Sequence, residues 1–203
     1  MQIELNKILK ILGPVIFIAG LYYFFHTSEI KQPDGILAPN SPTQNKTNES
    51  KTWFYNHYKF FAVAEFEITC KVLSIKQYST DKMSGFCPID IAVGWVKMSD
   101  QFVVDQLEIK QQHRWYVWRT KNFPIPRKEI EISSSNIHII PANENITDQI
   151  EEFVVGNIVR LKGYLVNVKD KDSNFIWKSS TSRYDTGNGA CEILWVEEAE
   201  KVK

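Results

Sequence analysis

The residues whose types could do chemistry are concentrated in one segment, from Ser179 to Glu192. This segment combines hydroxyl, guanidinium, carboxyl and thiol groups with two glycines. Arg183 and Asp185 are two residues apart, so in an extended chain their side chains lie on the same face. They therefore form either a structural ion pair or a pair that recognises a ligand.

Asp185-Thr186-Gly187 is the triplet that carries the catalytic carboxylate in aspartic proteases. In those enzymes two carboxylates share one proton, so a single copy can act only in a homodimer. Their motif follows a hydrophobic strand and leads into a small residue, whereas here Tyr184 precedes it and Asn188 follows it. Aspartate, asparagine and glycine all favour turns. We therefore interpret the triplet as a turn and predict no catalytic residue in it.

The sequence predicts no metal site and no cofactor. Metal binding needs His, Cys or carboxylate groups clustered at short spacing. No Cys-x-x-Cys pair occurs, and the histidines are scattered, at His26, His57, His113 and His138. The sequence also lacks the Gly-x-Ser-x-Gly elbow of serine hydrolases and a glycine-rich phosphate-binding loop.

The three cysteines occupy different kinds of position. Cys70 falls on the apolar face of an alternating segment and is predicted to be a buried thiol. Cys87 and Cys191 lie beside turn-forming residues, Pro88 and Gly189. Two of three cysteines can pair in an oxidising compartment. We predict a Cys87–Cys191 disulfide, which would stabilise the fold by about 2–4 kcal/mol.

Residues 8–26 are predicted to form a membrane-spanning signal anchor. Ile11 to Phe25 contains no charged residue. This uncharged segment is slightly shorter than the roughly 20 apolar residues that cross a bilayer. A polar segment follows, which argues against a buried core helix. The segment also lacks a small-x-small cleavage site, which argues against a signal peptide that is removed. Lys7 and Lys10 precede the span, so residues 1–7 are expected in the cytoplasm. The span is thus the predicted contact with the bacterial inner membrane.

Residues 27–52 are polar and interrupted by prolines and a glycine, so we predict a flexible linker. Residues 53–203 are predicted to form an exported, β-rich domain in the periplasm. The first 51 residues hold 5 of the 24 Lys and Arg and 4 of the 24 Asp and Glu, which leaves 19 against 20. Nucleic-acid-binding proteins normally carry a basic excess that neutralises phosphates. Nucleic acid is therefore not an expected partner.

The elements that must position these residues are mostly short strands. Apolar and polar residues alternate in several segments, which is typical of half-buried strands: Phe66 to Val72, Ile89 to Val93, Arg114 to Arg119 and Ile158 to Val168. Asn136 to Ile140, Phe175 to Lys178 and Cys191 to Val196 are predicted as further strands.

Two brief helices are predicted between the strands. One runs from Gln101 to Glu108 after a cap at Ser99 or Asp100, with Phe102 facing inward, and the other runs from Thr147 to Phe153. The fold class is therefore mainly β (α+β), an antiparallel, partly open barrel with one or two short helices after a transmembrane helix. It is similar to oligonucleotide/oligosaccharide-binding (OB) barrels, an analogy that carries no function.

Trp53 to Phe61, WFYNHYKFF, holds six aromatic residues in nine. Such a run is typical either of a stacking platform for bases or sugars or of a first element that closes one end of the core. Only Lys59 interleaves with the rings as a basic residue, which favours the structural interpretation.

Four runs of the sequence carry a resemblance to a known group of proteins. They are CPIDIAVGWVKMSD from Cys87, RWYVWRTKNFPIPR from Arg114, SNIHIIPA from Ser135 and DTGNGACEILWV from Asp185. Together they resemble an uncharacterised family of small bacterial proteins over most of Phe66 to Glu197. The resemblance implies the domain limits and a bacterial source, and the family has no established activity that could be carried over. Val96 stands where the family pattern leads us to expect a glycine.

We expect a membrane-anchored periplasmic domain that binds a protein partner of the cell envelope and is not an enzyme. Its binding surface is predicted to include Trp95, Trp118, Arg119, Arg183 and Asp185. One alternative is an OB-like module that binds a sugar, a small ligand or a single strand on an aromatic face. A second alternative is a hydrolase whose motif the sequence does not reveal.

Overall fold

The computed structural model describes residues 12–16, 29–47, 51–185, 187 and 189–203. The strands in this part of the chain are β1 Thr43–Lys46, β2 Thr52–Tyr55, β3 Tyr58–Gln77, β4 Ile89–Gly94, β5 Glu108–Gln112, β6 Trp115–Arg119, β7 Ser134–Pro141, β8 Ile158–Asp170, β9 Ile176–Trp177 and β10 Glu192–Lys201. The short helices are α1 Gln101–Val104, α2 Arg127–Ile132 and α3 Glu144–Glu151, and a 3₁₀ turn covers Val96–Ser99. The predicted mainly β class is confirmed.

Eight strands form one mixed sheet in the order β1-β3-β4-β7-β10-β8-β9, with β2 on β3. The long strand β3 pairs with β8 along one part and with β4 along another, so the sheet returns to β3 as a partial ring. The predicted purely antiparallel arrangement is wrong at one pair, since β7 and β10 run parallel. They can do so because α3 and β8 lie between them in the chain and reverse its direction.

The interior of this ring is filled by alternate residues of its strands. Inward-facing side chains include Phe66, Ile91, Ile137, Leu165 and Leu194, all buried in one cluster with Trp95. Cys70 belongs to the same cluster and is fully buried, which confirms its predicted position. Ile150 and Phe153 are also buried there.

The segment between β4 and β7 differs from its prediction. Asp100 does cap a helix, because its Oδ1 accepts a hydrogen bond from the Phe102 N–H at 3.0 Å. However, α1 ends at Val104, Phe102 is exposed, and β5 begins at Glu108. β5 and β6 form a separate two-stranded sheet around a tight turn at His113 and Arg114, which both take positive φ. One helical turn carries too little apolar surface to outweigh this hairpin.

The predicted start of the second helix is also corrected. α3 begins at Glu144, and its cap is Asn143, whose Oδ1 accepts from the Ile146 N–H at 3.1 Å. Val96 takes a φ of +47°, in the left-handed region that is rare for β-branched residues. A glycine would adopt this conformation without strain.

The segment predicted as a flexible linker is packed on the domain over residues 29–47. β1 pairs with β3, and the Ile30 N–H donates to the Val155 carbonyl at 2.8 Å. The backbone N–H groups of Leu37 and Ala38 donate to Ser99 Oγ, and Ala38 is fully buried. These contacts are made by backbone groups. For this reason no apolar periodicity in the sequence predicts that the segment packs on the domain.

The predicted span at residues 8–26 lies outside the described residues except for 12–16, which are helical. Among the described residues, no helix combines the length and the apolar composition needed to cross a membrane.

Candidate functional site

A cavity with a volume of about 680 Å³ lies beside β6. Its walls are β6, α2, the first residues of β7 and described residues between Ser182 and Glu192. The aromatic side chains in the wall are Trp95, Trp115, Tyr116, Trp118 and Phe123, and the charged ones are Arg119, Arg127, Arg183, Glu131, Asp185 and Glu192. Two stretches that are far apart in the sequence thus meet at one site.

All five residues predicted for the binding surface line this cavity. Arg119 is exposed, and Trp118 is half-buried with its ring edge-on to Phe123 at 6.1 Å between centroids. Trp95 differs from the others because it is only 2% exposed and belongs to the ring interior. Its position is that of a core residue whose edge reaches the cavity floor.

The hairpin of β5 and β6 is held over β7 by polar contacts. Tyr116 Oη lies 3.3 Å from Ser134 Oγ, and Gln111 Nε2 donates to Asn136 Oδ1 at 2.6 Å. The apolar residues on the same side, including Trp118 and Ile109, pack against a buried cluster around Ile130 and Met98. Trp115, Val117 and Arg119 face away from that cluster, as the alternation in the sequence predicts.

β6 presents its edge, rather than only one face, to the cavity. Every residue from Trp115 to Thr120 lines the wall. Among the described residues β6 pairs only with β5, and pairs along an antiparallel ladder alternate in hydrogen bonding. Because Gln112 and Trp115 flank a two-residue turn, they form the first hydrogen-bonded pair. Tyr116 and Trp118 therefore occupy non-hydrogen-bonded positions, and their N–H and C=O groups point away from β5. No backbone bond joins either of them to another described segment.

Arg183 and Asp185 do not pair with each other. The Arg183 guanidinium forms an ion pair with Glu192, and its central carbon lies 5.5 Å from the centre of the Phe66 ring. Asp185 Oδ2 accepts a hydrogen bond from Ser180 Oγ at 2.6 Å. The structural ion pair that spacing alone suggests is therefore replaced by one between Arg183 and Glu192, a residue that sequence reasoning did not select.

Glu192 is buried at the start of β10, and its two carboxyl oxygens contact Arg183 and Ser135 respectively. Burial raises the pKa of Glu192 to about 7, although Arg183 and the Ser135 hydroxyl act in the opposite direction. A carboxyl that titrates near neutrality can exchange a proton. Here both oxygens are engaged and only 1% of the residue is exposed, so little of it is open to a substrate.

Glu192 is expected to make the stability of the protein fall as pH rises. Its pKa is about 7 in the folded state against 4.5 in the unfolded chain. Between these values the folded protein keeps a proton that the unfolded chain releases, so stability is highest below 4.5 and declines up to about 7. The decline attributable to this group is at most about 3 kcal/mol.

The measurement is urea unfolding of the full chain at about pH 5 and about pH 8. Glu192→Gln should remove this part of the decline, because the amide does not ionise. Glu131→Gln, another carboxyl of the cavity wall, should keep it. An unchanged difference between the two pH values in Glu192→Gln would show that Glu192 does not hold its proton in the folded state.

The three cysteines are free thiols in the structure, so the predicted Cys87–Cys191 bridge is not formed there. β4 runs antiparallel to β7 and β10 runs parallel to it, so Cys87 lies near the Pro141 end of β7 and Cys191 near its Ser135 end. At about 3.3 Å per residue this places them on the order of 15 Å apart, beyond the roughly 7 Å between Cα atoms that a disulfide allows. Burial raises the pKa of Cys191 to about 12.

A buried polar cluster lies beside the cavity, on the outer face of β4 and β7. Asp90, which is fully buried, accepts a hydrogen bond from Arg114 Nη1 at 2.9 Å and contacts His138 Nδ1 at 2.8 Å. Arg114 also binds Asp81 through two nitrogens, at 2.8 and 2.9 Å. These hydrogen bonds from Arg114 lower the pKa of Asp81. No sequence pattern indicates that these residues meet, since they come from four separate segments.

The described residues contain no group of three or more His, Cys, Asp or Glu side chains that could hold a metal ion. Thr186 and Asn188 lie outside the described residues, and Gly187, which follows Thr186, takes a φ of +83°. This conformation fits the turn that the sequence predicts around Asp185.

No protein family, no curated protein and no solved structure matches this chain. The basis for a proposed function is therefore the geometry of the cavity.

Proposed function

We propose that this protein is a non-enzymatic binding domain that takes an extended segment of a cell-envelope protein into the cavity. The observation that carries the proposal is the free edge of β6 in the cavity wall. An extended peptide can add to such an edge through main-chain hydrogen bonds, while side-chain pockets provide specificity. The predicted anchor at residues 8–26 would hold the domain at the periplasmic side of the bacterial inner membrane.

The side chains around the edge of β6 suit a polypeptide partner. Trp115 and Phe123 are exposed, and tryptophan and arginine are enriched among the residues that dominate protein interfaces. Arg127 pairs with Glu131 and Arg183 pairs with Glu192. Arg119 forms no ion pair within 4 Å among the described residues. We therefore expect Arg119 to form a salt bridge with an acidic residue of the partner.

The partial ring supports an OB-like, partly open barrel as the finer description of the fold. In this description β3, β4, β7, β8 and β10 would take the five strand positions, with α3 between the third and fourth in the chain. OB folds bind oligonucleotides and oligosaccharides on the face of their second and third strands. In this protein the corresponding face is covered by Arg114 and by Trp177, whose ring lies 4.6 Å from that of His138. This covering favours a protein partner over a strand or sugar at that face.

The test is site-specific photocrosslinking from the cavity wall in the full chain, in its native membranes. A photoreactive amino acid at Val117, which is 38% exposed, should give a discrete protein adduct. The same group at Phe102, which is exposed away from the cavity, is the matched control. Arg119→Glu should weaken the adduct at least about tenfold, since reversing a charge at an interface costs several kcal/mol when like charges meet.

The adduct should map to one extended segment with an acidic residue next to the crosslink. Equal labelling from Val117 and Phe102 would contradict the proposal, as would an adduct that Arg119→Glu leaves unchanged while the domain stays folded.

A sugar or small ligand in the same cavity is the second candidate. The observation that favours it is the group of rings at Trp115, Trp118 and Phe123 beside carboxyl and guanidinium groups. Calorimetric titration with envelope oligosaccharides is the test. Binding that Trp115→Ala abolishes would support this candidate over a polypeptide.

A further inference from the structure

One cross-strand row of side chains lies on the end of the sheet built by β2, β3, β8 and β9. Phe54 pairs with Lys59, Lys59 pairs with Lys169, and Lys169 pairs with Ile176. Directly paired residues of neighbouring strands point to the same face of a sheet. These four residues, here called the lysine face, therefore project together across four strands.

The adjacent row shows that the lysine face is turned outward. Trp53, Phe60, Val168 and Trp177 pair across the same four strands and pack in one hydrophobic cluster. Since side chains alternate along a strand, the lysine face is on the opposite side. Phe54 is 62% exposed and Ile176 is 54% exposed, and Lys169 is exposed between them.

The charge of the lysine face has one sign. Lys178 follows Trp177, the last residue of β9, and is also exposed. Among the described residues of this face there is no carboxyl group, and none of its lysines forms an ion pair within 4 Å. Lys59 Nζ lies 5.0 Å from the ring centre of Phe61 and 5.8 Å from that of Phe54. Lys59 and Lys169 thus lie among exposed apolar side chains without a compensating charge.

We propose that the lysine face docks on the surface of an anionic lipid bilayer. Lysines near such a surface are attracted to lipid phosphates, and Phe or aliphatic side chains at the same level enter the boundary of the acyl chains. The face offers both, with Phe54 and Ile176 at its flanks and lysines between them. A single-stranded nucleic acid fits less well, because stacking needs aromatic rings in succession and Ile176 provides none.

This docking is independent of the cavity and of its proposed partner. It would orient the domain on the membrane, whether or not residues 8–26 cross it. The two proposals therefore fail separately, since the cavity test concerns Val117 and Arg119 and the membrane test concerns β2, β3, β8 and β9.

The test places an environment-sensitive fluorophore on Ile176→Cys in the full chain, with Cys191→Ser to leave only buried cysteines besides the label. The protein is studied with nanodiscs of zwitterionic lipid alone and with nanodiscs that also contain anionic lipid. We expect a blue shift of the emission with anionic nanodiscs only. High salt should reverse it, because salt screens charges at the surface.

The decisive variant is Lys59→Glu with Lys169→Glu. We expect the docking equilibrium to fall by about 30-fold or more, because each lysine at an anionic surface contributes about fivefold. Lys46→Glu with Lys76→Glu is the matched control, since both lysines are exposed and lie outside the lysine face. This variant has the same net charge and should keep the blue shift.

Three results would overturn the proposal. One is an emission that does not change with any lipid, and another is an equal shift with zwitterionic and anionic nanodiscs. The third is an equal or larger shift when single-stranded DNA is added in place of lipid, which would assign the lysine face to nucleic acid.

Discussion

Replacing Arg114 with alanine is expected to lower the free energy of unfolding by about 3–5 kcal/mol, the usual result of removing one partner of a buried ion pair. Arg114 reaches Asp90, which has no exposed surface, and Asp81, which is partly exposed. Without the guanidinium, the Asp90 carboxylate would stay buried, and its remaining side-chain hydrogen-bond partners among the described residues would be His138 and Asn136. Unfolding of the full chain in urea, followed by near-ultraviolet circular dichroism, measures the change.

Arg127→Ala is the matched control. Its ion pair with Glu131 spans one helical turn, and the Arg127 side chain is 71% exposed. Such pairs contribute about 0.5 kcal/mol or less. The double variant Arg114→Ala with Asp90→Asn should lose less than the sum of the two single variants, because the buried charge is removed together with its partner. Equal losses from Arg114→Ala and Arg127→Ala would contradict the role given to Arg114.

Replacing Trp95 with alanine is expected to destabilise the protein by about 3–5 kcal/mol, as large-to-small changes of buried aromatic residues do. Trp95 is among the largest fully buried side chains, and it packs inside the ring rather than standing free in the cavity. Loss of partner binding in Trp95→Ala would therefore follow from loss of folded protein. The measurement is again the unfolding midpoint in urea, compared with capture of the crosslinked partner.

Trp115→Ala makes the same chemical change as Trp95→Ala but is expected to leave stability nearly unchanged. Trp115 lines the same cavity but is 41% exposed, and surface substitutions usually change stability by less than about 0.5 kcal/mol. We expect it to weaken partner capture and to leave the unfolding midpoint nearly unchanged. If Trp95→Ala proved as stable as Trp115→Ala, Trp95 would be a surface residue after all.

The strands that can be predicted from the sequence are those with alternating residues. Ile158 to Val168 alternates from Val159 to Leu165, and β8 covers the segment and extends to Asp170. β5 escapes prediction because Glu108–Gln112 contains one apolar residue in five, Ile109, and its partner is the strand that follows a two-residue turn. β1 escapes it for a similar reason, since all four of its residues are exposed and backbone pairing with β3 holds it.

The sequence by itself determined the strands with a buried face, the buried position of Cys70, a helix cap at Ser99 or Asp100 and the choice of Arg119, Arg183 and Asp185 as residues worth following. These depend on local periodicity and on side-chain type, which neighbouring residues reveal. Only the tertiary structure decided that β6 and the segment before β10 share one cavity, that Glu192 rather than Asp185 pairs with Arg183, and that Arg114 serves two aspartates. The reason is physical: such contacts depend on the order and direction of strands in the sheet, and no local spacing encodes that order.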